Sequence, residues 1–441
     1  MCIRDRRWIN HSIALLGQMD RAEQKLFFRI LGQQARFLYR RWHVAASGLP
    51  RFEAVTGLVY CGLALEGKER YMPRALRALS RECDREIGED GGIANRNPEQ
   101  LMEIFTLLTW AARGIEAAES TPNRSHLLAM ERIAPTLRAL RLGDGSLAQF
   151  HGGGVGIAGK LDQALSDSSI RLPARPGGGM GYARLANGRT VLIMDAGKPP
   201  PVEASENAHA STLAFEMSSG FYPVITNMGS GYAFGRDWRN AARSTPSHST
   251  LAVAGKSSAR FSSNEFVGRS FGSKLTEGPT AVSAQTQIGQ TGIGITASHD
   301  GYVSSHGLLH MRHIMLSPDG ARLSGIDAVE ARSDAAKATF DKRAAGEKRN
   351  GIPFKVHFHL HSDIEADPGL GGQAVTLTLP NGEVWGFRHE GGILSIDPSA
   401  MMDASRLSPR ATKQIVLSGR AIHDEGAVKW TLVRTEPAES P

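Results

Sequence analysis

The sequence predicts an α+β chain of more than one domain, with helical hairpins first and a large antiparallel β-sandwich after them. Apolar residues recur at helical spacing up to about residue 142 and at alternate positions beyond about residue 150. Most of the 49 glycines lie in the later part, between short apolar runs, where turns are needed. At 441 residues and 41% hydrophobic content, the chain is long enough for two cores.

The helical part reads in order. RAEQKLFFRILGQQARFLYRRW places Leu26, Ile30 and Leu38 on one stripe. FEAVTGLVYCGLALEG is a second helix, closed by Gly67. RYMPRALRALSRECDREIGEDGG is a third, with Pro73 in its first turn and Gly91-Gly92 after its end. NPEQLMEIFTLLTWAARGIEAA is a fourth, with Asn97 as N-cap and Pro98 as first helical residue. SHLLAMERIAPTLRALRL is a fifth, expected to break at Pro135. The short polar loops between them predict antiparallel neighbours.

From residue 180 the pattern is β. GYARLANGRTVLIMDAG predicts a hairpin about Asn187-Gly188. TLAFEM, YPVITN, STLAVA, GIGITASHDGY, LLHMRHIMLS, ARLSGIDAVE, KVHFHLH, AVTLTLPNGEVWGFRH, QIVLSG and VKWTLVR follow as strands. The expected division is residues 7–145 helical, 146–179 linker and loop, 180–435 β-sandwich and 436–441 tail. The opening MCIRDR resembles a translated sequencing adaptor, so residues 1–6 are set aside and the native N-terminus is expected upstream.

The formal net charge of +7 fits a polyanionic partner or simply aids solubility. Cys2, Cys61 and Cys83 form no CxxC pair, which argues against a zinc knuckle or a disulfide framework. No apolar run approaches the roughly 20 residues that span a bilayer. FHGGGVGIAG lacks the Lys-Ser/Thr and strand-to-helix setting of a phosphate loop. No nucleic-acid recognition motif is present, and DKRAAGEKRN reads as a charged loop without interleaved aromatics. His357, His359 and His361 alternate on one strand face, expected to be solvated; His310 and His313 fall on opposite faces.

Four further segments come in a telling order. They are Asn207-Ala208-His209-Ala210-Ser211, Leu213-Ala214-Phe215-Glu216, Ile225-Thr226-Asn227-Met228-Gly229 and Arg243-Ser244-Thr245-Pro246-Ser247-His248-Ser249-Thr250. As a set they resemble the β-domain motifs of heparinase II/III-like polysaccharide lyases: His-x-His-x-Asp, a Leu-Ser-Phe-Glu strand, Val-Asp-x-Gly and Arg-Ser-Thr-x-x-His-Asn-Thr. The resemblance implies an incomplete (α/α) toroid before the β-sandwich. It implies β-elimination on an acidic, uronate-containing glycan and a periplasmic or cell-envelope location, with the cytoplasm as the alternative.

It also implies a zinc site at His209, Asn227 and His248. Asn227 stands where the family has aspartate, and Asn207 where it has the first histidine. The residues themselves leave three readings open: a hydrogen-bonded cluster pinning three strands, a metal site, or direct catalysis by His209 or His248. For catalysis the resemblance points to Asn10 and His11 as the Asn-His pair and to Asn207. The family tyrosine is Gln100 here, which abstracts no proton, and Tyr60 is the candidate substitute. Arg243 is a candidate clamp for the uronate carboxylate. The alternative function is a non-catalytic glycan-binding or cell-envelope protein on the same scaffold.

Overall fold

The computed structural model describes residues 12–262, 273–347 and 350–435. Two compact units emerge: residues 1–93, 99–138 and 157–174 make the first, and residues 94–98, 139–156 and 175–441 the second.

The first unit is helical. Its elements are α1 (Ser12–Leu16), α2 (Arg21–Arg41), α3 (Leu49–Ala64), α4 (Met72–Glu86), α5 (Pro98–Ala117), α6 (Arg124–Ala139) and α7 (Lys160–Asp167). Asp20 and Glu23 close a capping box at the start of α2. The buried stripe of α2 is Phe27, Leu31, Gln34, Ala35 and Leu38, while Leu26 is 45% exposed. The expected stripe was therefore correct in period but rotated, because Phe27 and Leu31 outweigh Leu26 in burying area. Side chains then tie the helices together. Tyr39 stacks on Tyr71 at 4.3 Å, Asn123 Nδ2 donates to Ser80 Oγ at 2.8 Å, and His126 Nε2 lies 2.9 Å from the Leu108 carbonyl.

Two expectations fail here. Helix α6 runs through Pro135 without a break. The proline deprives the Glu131 carbonyl of its helical donor, but Glu131 is an exposed residue, where that loss costs least. Residues 146–179 are also not all loop, since α7 forms on Leu161, Ala164 and Leu165, which are buried.

The second unit holds two large antiparallel sheets. The nine-stranded sheet comprises β1 (Gly178–Gly179), β2 (Tyr182–Asn187), β3 (Thr190–Asp195), β4 (Phe215–Ser219), β5 (Tyr222–Thr226), β6 (Leu251–Val253), β13 (Ile352–Leu360), β17 (Ile393–Met401) and β18 (Arg410–Ala421). Its order is β1-β2-β3-β4-β5-β13-β18-β17, with β6 also on β13. The eight-stranded sheet runs β14-β15-β16-β19-β12-β11-β10-β9. Its strands are β9 (Val282–Gly289), β10 (Gly292–Tyr302), β11 (Leu308–Leu316), β12 (Arg322–Glu330), β14 (Glu365–Gly369), β15 (Ala374–Thr378), β16 (Val384–Glu390) and β19 (Glu425–Thr435). Short strands β7 (Arg260–Phe261) and β8 (Leu275–Glu277) pair separately.

The sheets share one core, which makes the unit a sandwich. Phe215 of β4 stacks on Trp430 of β19 with ring centroids 5.8 Å apart, and Phe358 of β13 meets the same indole edge-on at 5.0 Å. A Cβ on Gly325 would lie 2.1 Å from the Trp430 ring, so the bare backbone of β12 makes room for the indole. At one end two hairpin turns, one from each sheet, touch. Asn187 Nδ2 donates to the Ser317 carbonyl at 3.0 Å and Thr190 Oγ1 to the Gly320 carbonyl at 2.7 Å. A Cβ on Gly188 would stand 2.3 Å from the Asp319 carbonyl oxygen, and one on Gly320 would stand 2.1 Å from that of Asn187.

Two β-region expectations also need correction. The first part of DKRAAGEKRN is helical, the end of α8 (Asp334–Gly346), because Ser333 caps the helix and Ala336 and Phe340 bury one side of it. His357 and His359 are buried, not solvated, since β13 lies inside its sheet. His359 bonds Ser399 Oγ and the Pro246 carbonyl, and His357 bonds Gln414.

Candidate functional site

The site lies in the second unit, where the segment before β4, the end of β5 and the turn before β6 converge. His209 Nδ1 is 3.0 Å from His248 Nε2. His248 Nδ1 is 2.8 Å from the Ser244 carbonyl. A carbonyl only accepts, so His248 carries its proton on Nδ1 and its Nε2 accepts from His209. His209 is thereby a donor at Nδ1, and its Nε2 holds the lone pair. Both rings are buried, and burial holds both below the ordinary histidine value; His248 is lowered to about 4. They are neutral at neutral pH.

Behind this dyad stands a network that the motifs did not reveal. The His209 backbone N–H donates to His151 Nδ1 at 3.1 Å, which leaves the His151 proton on Nε2, 3.4 Å from Asp195 Oδ2. Ser211 Oγ donates to the same oxygen at 2.7 Å, and Arg96 donates to Asp195 Oδ1 at 2.5 Å. Burial alone would raise the Asp195 carboxyl, but the Arg96 charge and the bonds from His151 and Ser211 hold it below the carboxylate range. Arg96 also donates to the carbonyls of Met180, Gly181 and Lys198 and lies over the Tyr182 ring. His151 sits in FHGGGVGIAG, rejected as a phosphate loop, and Arg96 just before α5. Only their distance in sequence from the motifs hid them.

Asn227 is joined to the dyad through the backbone. Its Oδ1 accepts from Ser249 N–H at 3.0 Å, one residue beyond His248. Its Nδ2 donates to Glu216 Oε1 at 3.1 Å, and Gln149 N–H reaches Glu216 Oε2 at 2.9 Å. Burial pushes the Glu216 carboxyl up to about 8 despite these donors. Both ends of the Asn227 amide are thus spent, as are both nitrogens of His248. The lone pair of His209 Nε2 is the one ring lone pair this trio retains, so the donor set does not match three zinc ligands.

The remaining candidates are placed as follows. Asn207 is half-buried, and its Oδ1 accepts from Arg239 at 3.1 Å. Arg239 in turn lies over the exposed ring of Tyr232. Arg243 is buried; it donates to the Ala208 and Ser205 carbonyls at 2.7 and 3.1 Å and lies 3.9 Å from the Phe261 ring centroid. It therefore shapes the segment carrying His209, and Arg239 is the more exposed cation beside it. Tyr60 is half-buried on α3 of the helical unit, and Gln100 lies on α5. Asn10 and His11 lie outside the described residues.

Comparison with known proteins bears on this arrangement. The family model described as heparinase II/III-like, C-terminal, matches residues 170–431. FtsZ-localized protein C of Caulobacter vibrioides is 32% identical over 416 residues, covering 92% of this chain and 69% of that protein. A crystal structure of heparinase III superposes with a TM-score of 0.71 at 13% identity, over 94% of this chain and 65% of that one. A heparan sulfate lyase HepC mutant from Pedobacter heparinus gives 0.67 at 14%, over 95% and 65%. At such identities these two structures speak to the fold, a helical part followed by a β-sandwich, and this chain spans about 65% of their length. The family match over more than half the chain, with the 32% identity to a curated relative, shows that this protein belongs to the heparinase II/III-like family.

Proposed function

We propose that the protein acts on an acidic, uronate-containing polysaccharide by β-elimination, with His209 as the base. The observation that carries this reading is the Ser244–His248–His209 chain. It fixes the tautomer of His209 and so keeps the lone pair on Nε2. A neutral, polarised imidazole is what removal of a C5 proton requires.

In this reading Nε2 of His209 takes the C5 proton. The C4–O4 bond breaks as the C4=C5 double bond forms, and the departing O4 receives a proton from Nε2 or from water. The positive charge that develops on His209 spreads toward His248 and the Ser244 carbonyl. Arg239, anchored on Asn207, supplies the charge that steadies the uronate carboxylate as the C5 anion develops. The exposed Tyr232 beside it offers a face on which a sugar ring stacks. No metal enters these steps, in keeping with the committed bonds of Asn227 and His248.

A second reading has one specific support. The relative at 32% identity is described as FtsZ-localized, and Gln100 replaces the family tyrosine. On that reading the protein binds glycan at the division site without cleaving it. Incubation with a set of uronic-acid polymers separates the two. Unsaturated chain ends that vanish in His209→Ala support the lyase. Binding without unsaturated ends, for every polymer, overturns it.

A further inference from the structure

Among the described residues the strand orders of the two large sheets end in β1, β17, β14 and β9, and natural sheets guard their edges against pairing with other chains. In the nine-stranded sheet, β1 is only two residues long, and β17 carries Asp397 and Pro398. In the eight-stranded sheet, β14 carries Glu365, Asp367 and Pro368. The fourth edge, β9, has none of these guards. Val282–Gly289 reads VSAQTQIG, without a charge or a proline, and pairs with β10 in one unbroken register. No described strand lies on its other side. Nearly the whole strand is exposed on both faces, including Ile288 at 84%.

The backbone parity of this edge is fixed. Asp300 N–H donates to the Ala281 carbonyl, so odd-numbered residues of β9 bond to β10. The N–H and C=O groups of Val282, Ala284, Thr286 and Ile288 therefore point away from the sheet. Their side chains lie on the face shared with Ile293, Ile295 and Ala297, the core side of the sheet, left uncovered at this edge.

We propose that β9 pairs antiparallel with β9 of a second copy of this chain, about a two-fold axis at Thr286. The sequence is self-complementary in that register. Thr286 faces Thr286 of the second copy, both with outward backbone groups, which completes a bonded pair. Ala284 faces Ile288 on the core side, so two uncovered apolar positions cover each other. Gln285 faces Gln287 on the outer side, where their amides donate to and accept from each other. The two eight-stranded sheets then run on as one, and the exposed apolar edge is removed from water. A two-fold contact of this kind closes on itself and does not propagate into a fibre.

The test is the mass of the full chain in solution by light scattering at micromolar concentration. The proposal expects twice the mass of one chain. Thr286→Pro removes only an outward N–H, leaves the bonds to β10, and should return the mass to that of one chain with unchanged circular dichroism. Two charge variants protect the test against a folding defect. Gln285→Lys with Gln287→Lys sets lysines against lysines and should give monomers. Gln285→Lys with Gln287→Glu sets opposite charges face to face and should restore the dimer. A monomeric wild-type chain overturns the proposal. So does a dimer that survives both Thr286→Pro and the double lysine variant.

Discussion

His209 Nδ1 lies 3.0 Å from His248 Nε2, and that single bond decides what either ring does. His248 is held from behind by the Ser244 carbonyl, so it only accepts from His209. Replacing His248 with Phe leaves the His209 N–H buried without an acceptor, at a cost of about 1–3 kcal/mol. It also frees the His209 tautomer. His209→Ala should lower the rate of unsaturated-end formation by about 10²–10⁴-fold with little change in melting temperature. His248→Phe should lower both. Equal rates in wild type and His209→Ala would remove His209 as base.

Asp195 is the anchor of the supporting network. Asp195→Asn leaves the Arg96 guanidinium buried opposite a neutral amide, and the expected loss is about 3–5 kcal/mol. Urea unfolding should show a lower midpoint at constant slope. A change under about 0.5 kcal/mol would mean that the Arg96 bonds to the three carbonyls suffice without the carboxylate.

Asn227→Asp restores the family residue but places a carboxylate against Glu216, which now loses its Nδ2–H donor. The expected destabilisation relative to wild type is about 1–3 kcal/mol at neutral pH, growing as pH rises through the Glu216 value of about 8. Melting curves at mildly acidic and mildly alkaline pH measure it. Wild type should show no zinc-dependent rise in melting temperature. Stoichiometric zinc in protein purified without added metal would overturn the metal-free reading of this site.

Stability should fall as the solution is acidified from about pH 6.5. His126 and His248 are lowered to about 4 and His359 to about 3, in each case chiefly by burial. Below 6.5 the unfolded chain gains protons at these sites and the folded chain does not. Their contribution is therefore complete above 6.5 and is lost on the way down to 4 or 3, at up to about 1.4 kcal/mol per pH unit for each ring. A urea midpoint that stays constant from neutral pH to about 5 would show that these rings are protonated in the folded state.

Gly325→Ala forces a methyl group into the Trp430 indole, which is pinned between Phe215, Phe358 and Phe387. The expected cost is about 1–3 kcal/mol, read as a lower melting temperature with loss of near-ultraviolet dichroism from the tryptophan. An unchanged near-ultraviolet spectrum would mean that the backbone of β12 yields and the ring does not.

Periodicity made the two-part architecture legible, and the Asn187-Gly188 hairpin and the start of α5 at Pro98 were readable residue by residue. The order of the motifs located His209 and His248, which the fold does bring together. The misreadings have local causes. Strand β9 lacks an alternating pattern because nearly all of it is exposed, β14 turns only Ala366 into the core, and β17 is interrupted by Pro398. The α8 helix was hidden by its charges, although Ser333 marks its start. Arg96, His151 and Asp195 come from three distant segments with no shared spacing, so nothing linear links them. Arg243 was read as facing a ligand because its bidentate geometry suits a carboxylate, yet two backbone carbonyls occupy that role here.

The contact between the Asn187-Gly188 turn and the Ser317–Gly320 turn has a consequence for how this chain varies. Each turn occupies space that the other leaves only because a glycine stands there. Neither can be lengthened, shortened or given a side chain alone. The two hairpins, 130 residues apart at Thr190 and Gly320, therefore form one heritable unit. A chimera that exchanges the first hairpin with a distant relative must carry the second along with it, whereas the exposed β15–β16 turn at Asn381-Gly382 can accept foreign residues independently.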